Sequence, residues 1–150
     1  MSIAIVKYNA GNIFSVKASL NRLGVDTILT NDKDIIRQAD KVIFPGVGEA
    51  SSTMQHLRTS GMDEVIKNLE QPVLGICLGM QLLCKSSEEG DAECFGIFDV
   101  GVKKFVTESK DEKIPHMGWN SIHNVGSDLF SPQLEGQFVY FVHSYYVPLT

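Results

Sequence analysis

The 150-residue sequence lacks any apolar run near the length of about 20 residues that a membrane-spanning helix needs. It also lacks an excess of basic side chains, since 18 acidic residues outnumber 13 lysines and arginines and the net charge is −5. That balance excludes the electrostatic footprint of a protein that binds nucleic acid or an anionic membrane. Only three cysteines occur, an odd number at irregular spacing, which indicates free thiols in a reducing compartment.

The N-terminus has no basic segment and only four apolar residues in a row, so a signal peptide is not expected. Hydrophobic residues make up 43% of the chain and charged residues 21%, which is typical of a soluble globular protein. A chain of this length can bury enough surface for a stable core without disulfides or metal ions. We therefore expect a single cytoplasmic domain over residues 1–150.

Short apolar segments alternate with helical patterns through the first half of the chain. The apolar runs predict strands over residues 3–6, 25–29, 41–44 and 72–76. Helical spacing predicts helices over residues 13–23, 32–39, 49–60, 62–69 and 78–83. Asn12 suits the N-cap of the first helix, and Gly24 suits its left-handed end. This alternation predicts an α/β protein with βαβ units and a mainly parallel sheet.

The pattern changes after Lys85. Residues 86–91 are polar and predict a loop, and shorter strands are expected over residues 101–106, 119–123 and 137–147. These segments are rich in aromatic and β-branched residues, so an antiparallel or mixed sheet is predicted for this part of the chain.

The segment around Cys77 has the Gly-x-Nuc-x-Gly pattern of a nucleophile elbow, with cysteine as the nucleophile. Such an elbow turns sharply from a strand into a helix, and Gly75 and Gly79 stand where a Cβ would strike the neighbouring backbone. The free N–H groups at the helix N-terminus favour an anionic sulfur on Cys77. The N–H of Leu78 would then face a developing oxyanion.

The other two cysteines carry no such pattern. Cys84 is expected on the same helix as Cys77 and, like Cys94, in the core, because most cysteines are small buried side chains. The spacing of the three does not match a metal site.

A glycine-rich turn, Pro45-Gly46-Val47-Gly48, follows the third predicted strand. Ligands bind at the carboxyl ends of strands in parallel sheets, so this turn is expected beside Cys77. Alone it predicts only the end of a strand. Beside the elbow, Val47 and Gly48 become candidates for a second oxyanion donor.

The string Gly-Ile-Cys-Leu-Gly-Met-Gln at residues 75–81 resembles the nucleophile motif of the class I glutamine amidotransferases. Further strings resemble the branch of that family that serves histidine biosynthesis, and they run in order through most of the chain: residues 8–12, 15–16, 20–24, 45–48, 115–120 and 141–146. The resemblance implies a three-layer, flavodoxin-like fold with a mostly parallel central sheet and an added antiparallel part. It implies no cofactor and no metal.

By that resemblance, Cys77 attacks the side-chain amide of glutamine and forms a glutamyl thioester with loss of ammonia. The N–H groups of Leu78 and of the Val47–Gly48 turn would stabilise the oxyanion. Gln81 would hold the amino and carboxylate end of the substrate.

The resemblance also assigns residues in the C-terminal third. His143, Ser144 and Tyr145 match the strand that holds the other side of glutamine. Asn12 and Trp119 match positions that face a partner subunit, which would be a (β/α)₈-barrel cyclase that receives the ammonia in a heterodimer. From the residues alone, Trp119 would be predicted to pack in a core.

A cysteine glutaminase needs a general base, which the family supplies from a His-Pro-Glu string near its C-terminus. The sequence has four histidines, and none is followed by Pro or, two positions on, by Glu. We therefore expect the base and its orienting carboxylate to lie beyond Thr150, and these 150 residues alone to be inactive.

The histidines that are present have other interpretations. His143 is the alternative base, although its strand resembles the part that holds substrate. His116 and His123 are expected to be structural or interface residues, and His56 a solvated surface residue.

Two other functions remain open on the residues. The first is a hydrolase or deglycase of the same superfold, but those proteins often carry a histidine directly after the nucleophile, where Leu78 stands here. The second is a non-catalytic binding module, which the missing base leaves open.

Overall fold

The computed structural model describes residues 1–8, 12–107, 113–127 and 129–149. The chain divides into two compact units, which are described separately below. The first unit comprises Met1–Lys103 with Val147–Thr150, and the second comprises Lys104–Tyr146. The predicted single-domain organisation stays a prediction.

Strands and helices alternate in the first unit, as the sequence predicts. In chain order they are β1 (Ile3–Val6), α1 (Ile13–Arg22), β2 (Thr27–Thr30), α2 (Lys33–Gln38), β3 (Lys41–Gly46), α3 (Ala50–Ser60), α4 (Met62–Lys67), β4 (Val73–Cys77), α5 (Leu78–Leu82), β5 (Cys84–Ser87), β6 (Ala92–Glu93) and β7 (Phe98–Lys104). A single 3₁₀ turn, Glu89–Asp91, precedes β6.

The first four strands form a parallel sheet in the order β2-β1-β3-β4. One face carries Ile3, Ile5 and Ile43, which pack against apolar side chains of α1. The other face carries Ala4, Val6, Val42 and Phe44 within a larger cluster built from α2, α3, α4 and α5. Helices therefore cover both faces, and the predicted three-layer α/β fold is confirmed.

Side chains at the helix starts explain where the helices begin. Asn12 caps α1 by accepting from the N–H of Ser15, as predicted. Asp32 caps α2 through the N–H groups of Asp34 and Ile35. Each cap pairs N–H groups that a helix leaves free in its first turn.

The prediction that Pro45-Gly46 ends the third strand at Phe44 is wrong. β3 continues through both residues, with Pro45 opposite Ile76 and Gly46 opposite Cys77 of β4. β1 pairs with β3 only as far as Ile43, so Pro45 lies beyond that ladder and its missing N–H disrupts no central pairing. The strand therefore brings Gly46 directly opposite Cys77.

Two predictions around Cys84 are also wrong. α5 ends at Leu82, so Cys84 begins a strand and is not on the helix of Cys77, although it is buried as expected. The helix ends here because N–H groups of the segment after β6 bind the carbonyl oxygens at its end. The N–H of Phe95 donates to the carbonyl oxygen of Leu82 at 2.9 Å, and the N–H of Gly96 donates to that of Cys84 at 2.8 Å. Ser86 and Ser87, predicted as loop, belong to β5.

A second, mixed sheet of the first unit is built around β5. Strand β5 pairs antiparallel with β6 and parallel with β7. Ser87 lies opposite Val102 and is buried despite its polar side chain, which is why composition alone predicted a loop.

The second unit contains a two-stranded antiparallel sheet of β8 (His116–Ser121) and β9 (Phe138–His143). A 3₁₀ turn, Pro132–Leu134, precedes β9, and the two-residue strand β10 is Tyr145–Tyr146. The predicted single strand over 137–147 is thus broken at Ser144. The expectation of mixed and antiparallel pairing in this half of the chain is confirmed.

Within the described ranges, no helix is both long enough and apolar enough to cross a membrane.

Candidate active site

Cys77 is the last residue of β4 and the N-cap of α5, with φ 54° and ψ −118°. Positive φ is strained for a residue with a side chain, and it marks the sharp turn of a nucleophile elbow. Cys77 is exposed, whereas Cys84 and Cys94 are buried. The structure thus presents one of the three thiols to solvent at the end of the parallel sheet, as predicted.

The glycines around the elbow let β3, β4 and α5 approach closely. A Cβ on Gly75 would lie 2.6 Å from the Cα of Met80, and one on Gly79 would collide with the carbonyl oxygen of Phe44. A Cβ on Gly46 would lie 2.5 Å from the backbone nitrogen of Gly79. The steric reason for glycine at positions 75 and 79, expected from the sequence, is confirmed by these distances.

The glycine-rich turn, residues 45–48, begins with the last two residues of β3, next to the elbow. Gly46 lies opposite Cys77 in the ladder. Val47 is 47% exposed, and Gly48 has φ +108°, a conformation that only glycine adopts without strain. The sheet therefore brings the turn and Cys77 to the same edge. The predicted roles of Val47 and Gly48 as backbone donors stay predictions.

Tyr8, which opens the first of the family-like strings but has no predicted role, reaches this turn. Its hydroxyl donates to the carbonyl oxygen of Pro45 at 2.6 Å. Burial, and secondarily the charge of the Cys77 thiolate, raises the pKa of Tyr8 well above its usual value, so the hydroxyl stays protonated at neutral pH. No sequence pattern pointed to this bond, because the two residues are 37 positions apart.

Two carboxylates lie at the start of α3, directly after the turn. Glu49 accepts from the hydroxyl and N–H of Ser51 and from the N–H of Ser52, and these bonds lower its pKa to about 2. Glu89 accepts from the N–H of Ala50 at 3.0 Å. Burial raises the pKa of Glu89, and the charge of Glu49 adds to that effect. Sequence reasoning missed Glu89, because residues 86–91 were interpreted only as a polar loop.

An open cavity of about 410 Å³ adjoins the turn. Its lining includes Tyr8, Val47, Gly48, Glu49 and the exposed His56. Leu78 and Gln81 lie on α5, one and four residues after Cys77, and both are largely buried. The predicted roles of Leu78 and Gln81 stay predictions.

In the second unit, His143 ends β9 and is half-buried in an aromatic cluster with Phe105 and His116. Its Nδ1 lies 2.8 Å from the carbonyl oxygen of Tyr145 and therefore donates to it. A larger open cavity of about 560 Å³ is lined by residues of this unit that include His116, Phe141 and His143. Ser144 and Tyr145 follow in the chain, so three of the four predicted substrate-binding residues are contiguous here, and their roles stay predictions.

The structure also pairs a histidine with a carboxylate that sequence spacing did not reveal. His123 Nδ1 lies 3.3 Å from Glu135, and its Nε2 lies 2.8 Å from the hydroxyl of Ser121. Both ring nitrogens are thus engaged in the exposed surface of the second unit. This fits the structural role that was expected for His123.

The two predicted interface residues are both exposed. Asn12 uses its side chain on Ser15, and Trp119 is 66% exposed with its ring 5.5 Å from that of Tyr140. The placement expected for Trp119 from residue type alone, in a core, is wrong. Residues 9–11 and 108–112 lie outside the described residues, and they include part of the string before Asn12.

The sequence matches the family "Glutamine amidotransferase class-I" over residues 5–149. The chain belongs to the class I glutamine amidotransferases. Among its relatives in this family, imidazole glycerol phosphate synthase subunit HisH of Bacteroides thetaiotaomicron is 61% identical, over 99% of this chain and 76% of the relative. The protein of the same name from Sulfurimonas denitrificans is 45% identical, over 96% of this chain and 72% of the relative.

A solved structure shares the fold of this amidotransferase chain. It is titled "Crystal structure of glutamine amidotransferase", has a TM-score of 0.68 at 17% identity, and matches over 95% of this chain and 71% of its own. The resemblance inferred from the motifs is confirmed at the level of family and fold.

Proposed function

We propose that this chain is the glutaminase subunit of an imidazole glycerol phosphate synthase, and that Cys77 cleaves the side-chain amide of L-glutamine. The observation that carries the proposal is the elbow: an exposed thiol on a strained backbone, with Gly46 of the glycine-rich turn directly opposite it. The relatives named HisH, at up to 61% identity, support the choice of pathway.

The reaction proceeds in two halves. The Cys77 sulfur attacks the amide carbon, a C–S bond forms, and the carbonyl electron pair moves onto oxygen. The N–H of Leu78 and an N–H of the Val47–Gly48 turn stabilise that oxyanion, and each such donor contributes about 3–4 kcal/mol. The C–N bond then breaks, nitrogen leaves as ammonia with the thiol proton, and water hydrolyses the thioester to glutamate and free thiol.

Four side chains hold the substrate in this proposal. Gln81, one turn along α5 from the nucleophile, binds the amino and carboxylate end of glutamine. His143, Ser144 and Tyr145 bind its other side. His143 supplies a contact to substrate in this proposal, as the resemblance of its strand implies, and its Nδ1 donates to the Tyr145 carbonyl oxygen, which fixes the orientation of the ring.

The general base is assigned to a residue outside these 150. The family carries its base in a His-Pro-Glu string, and none of the four histidines of this sequence stands in one. The relatives are longer than this chain, which spans 76% of the length of the Bacteroides thetaiotaomicron protein. In this proposal a residue of the longer protein supplies the base, and the 150 residues alone are inactive.

The ammonia passes to a cyclase partner of the (β/α)₈-barrel type, in a cytoplasmic heterodimer. Asn12 and Trp119 contact that partner. Trp119 lies on a largely apolar face of the β8–β9 sheet. The apolar side chains of this face are all more than half exposed, namely Met117, Trp119, Phe138, Tyr140 and Val142. Such a face is typical of a surface that a partner covers.

The test is glutamate release by the full-length protein with its cyclase partner and the nucleotide substrate. Cys77→Ser should lower kcat by about a thousandfold or more, because the nucleophile is lost. Cys84→Ala is the matched control: it removes a buried thiol of the same unit and should leave kcat unchanged. Equal rates for wild type and Cys77→Ser would contradict the proposal and favour a non-catalytic binding module.

A further inference from the structure

The glycine-rich turn, residues 45–48, is held by a side chain from the segment after β1. Tyr8 follows β1, and its hydroxyl donates to the first carbonyl oxygen of the turn, that of Pro45, at 2.6 Å. Its ring packs against Phe44, with centroids 5.4 Å apart, and Phe44 is fully buried. The hydroxyl is thus fixed by a rigid support on one side and the turn on the other.

The same hydroxyl lies close to the residue that pairs with the nucleophile. A Cβ on Gly46 would come within 2.8 Å of the Tyr8 oxygen, and Gly46 stands opposite Cys77. The phenol is therefore packed over the peptide that joins Pro45 to Gly46. That peptide lies two residues before the Val47–Gly48 peptide, which is assigned to the oxyanion.

The hydroxyl serves as a hydrogen-bond donor and not as an acid. Burial and the charge of the Cys77 thiolate both raise the pKa of Tyr8, so the proton stays on oxygen at neutral pH. A protonated phenol on a backbone carbonyl restricts rotation of that peptide and, through the short turn, of the peptides that follow. A phenylalanine would fill the same space on Phe44 but leave the Pro45 carbonyl without this donor.

Resting on the proposed function, we propose that Tyr8 is a positioning residue for glutamine hydrolysis, whose hydroxyl fixes the Pro45–Gly48 turn so that its N–H group meets the oxyanion formed at Cys77. The role acts through the turn, and Tyr8 itself touches neither the substrate nor the reacting atoms. Loss of the hydroxyl should therefore affect the transition state more than substrate binding.

The experiment compares Tyr8→Phe with wild type in the full-length protein with its cyclase partner. We expect kcat for glutamate release to fall about fivefold to tenfold, the effect of one lost hydrogen bond that is transmitted to one oxyanion donor, with KM within twofold. Tyr146→Phe, which removes a phenol hydroxyl in the second unit, is the matched control and should leave both constants unchanged. The rate of Cys77 alkylation by iodoacetamide is measured alongside, because alkylation forms no oxyanion at the amide and should stay within twofold.

Each possible result supports or overturns the positioning role of Tyr8. A fall in kcat with KM and alkylation unchanged supports the positioning role. Equal kcat for Tyr8→Phe and wild type overturns it, since the ring alone would then suffice. A joint change of kcat, KM, alkylation rate and melting temperature also overturns the positioning role, because such a change would show that Tyr8 only stabilises the fold. If wild type itself releases no more glutamate than Cys77→Ser, the proposed function fails and this inference fails with it.

Discussion

The two units of the chain differ sharply in how they are packed. All the buried residues of the described chain lie between Met1 and Lys103, where both faces of the parallel sheet are covered. None of the described residues between Lys104 and Tyr146 is buried, and that unit relies on one antiparallel ladder and a cluster of aromatic rings in edge-on and stacked contact. The nucleophile and its turn belong to the first kind of structure, and the strand assigned to substrate belongs to the second.

This difference indicates that the first unit supplies most of the stability and that the second unit offers a surface for recognition. Positive φ at Cys77 and the close approach of Gly79 to Phe44 need a rigid surrounding to persist, and the buried core supplies it. An open apolar sheet face contributes little to the free energy of folding but offers area to another molecule. The substitutions below test that division, from the largest expected effect to the smallest.

The largest expected effect comes from truncating one phenylalanine in each unit. Phe44→Ala removes a fully buried ring and should lower the free energy of unfolding by about 3–5 kcal/mol. Phe138→Ala removes a ring that is 65% exposed and should cost less than about 0.5 kcal/mol. Urea unfolding followed by circular dichroism measures both. Similar losses for the two variants would show that the second unit has as strong a core as the first.

An intermediate effect is expected at the exposed sheet face. Trp119→Ala should weaken binding of the cyclase partner by about 30-fold in Kd, since exposed aromatic anchors carry most of the energy in such interfaces. The melting temperature should hardly change, because Trp119 is 66% exposed. Isothermal titration calorimetry gives the Kd, with Val139→Ala on the opposite face of β9 as the control. Unchanged affinity for Trp119→Ala would place the partner elsewhere.

The smallest effect concerns a carboxylate of each unit that accepts backbone N–H bonds. The folded pKa of Glu49 is about 2, against 4.5 ordinarily, so folding favours its ionised form. That stabilisation is complete above about pH 4.5 and is lost as the pH falls towards 2. Glu49→Gln should therefore lower the urea midpoint at pH 7, and the difference from wild type should shrink over that acidic range.

Glu135 provides the comparison in the second unit. Its bonds from the N–H groups of Val125 and Asn124 lower its pKa as well, but the carboxylate is exposed and screened by water. Glu135→Gln should shift the urea midpoint less than Glu49→Gln does. A larger shift for Glu135→Gln would reverse the ranking of the two units.

The predictable parts of the molecule are those governed by local patterns. β1 has the predicted bounds, Asn12 caps α1, and Gly24 adopts the left-handed conformation after α1. The elbow was predictable because its glycines sit at fixed offsets from Cys77. Each of these features depends on a few neighbouring residues.

The features that escaped prediction depend on contacts between distant residues. β3 continues through Pro45 because β1 has already ended beside it, and Cys84 leaves the helix because residues 95–98 take the carbonyls there. The bond from Tyr8 to Pro45 and that from Ala50 to Glu89 join residues nearly 40 positions apart. Local sequence patterns do not predict such contacts between distant residues.

The pairing of Gly46 with Cys77 also bears on how the site comes into existence during folding. Parallel strands meet only after the chain between them has closed a long loop. The conformational entropy of that loop is lost before the hydrogen bonds of the ladder can stabilise the structure. Residues 47–72 must therefore be folded back before the turn and the thiol become neighbours. The pairing of Gly46 with Cys77 therefore belongs to the non-local stage of folding, and the glycine-rich turn comes to lie beside Cys77 only when that stage is complete.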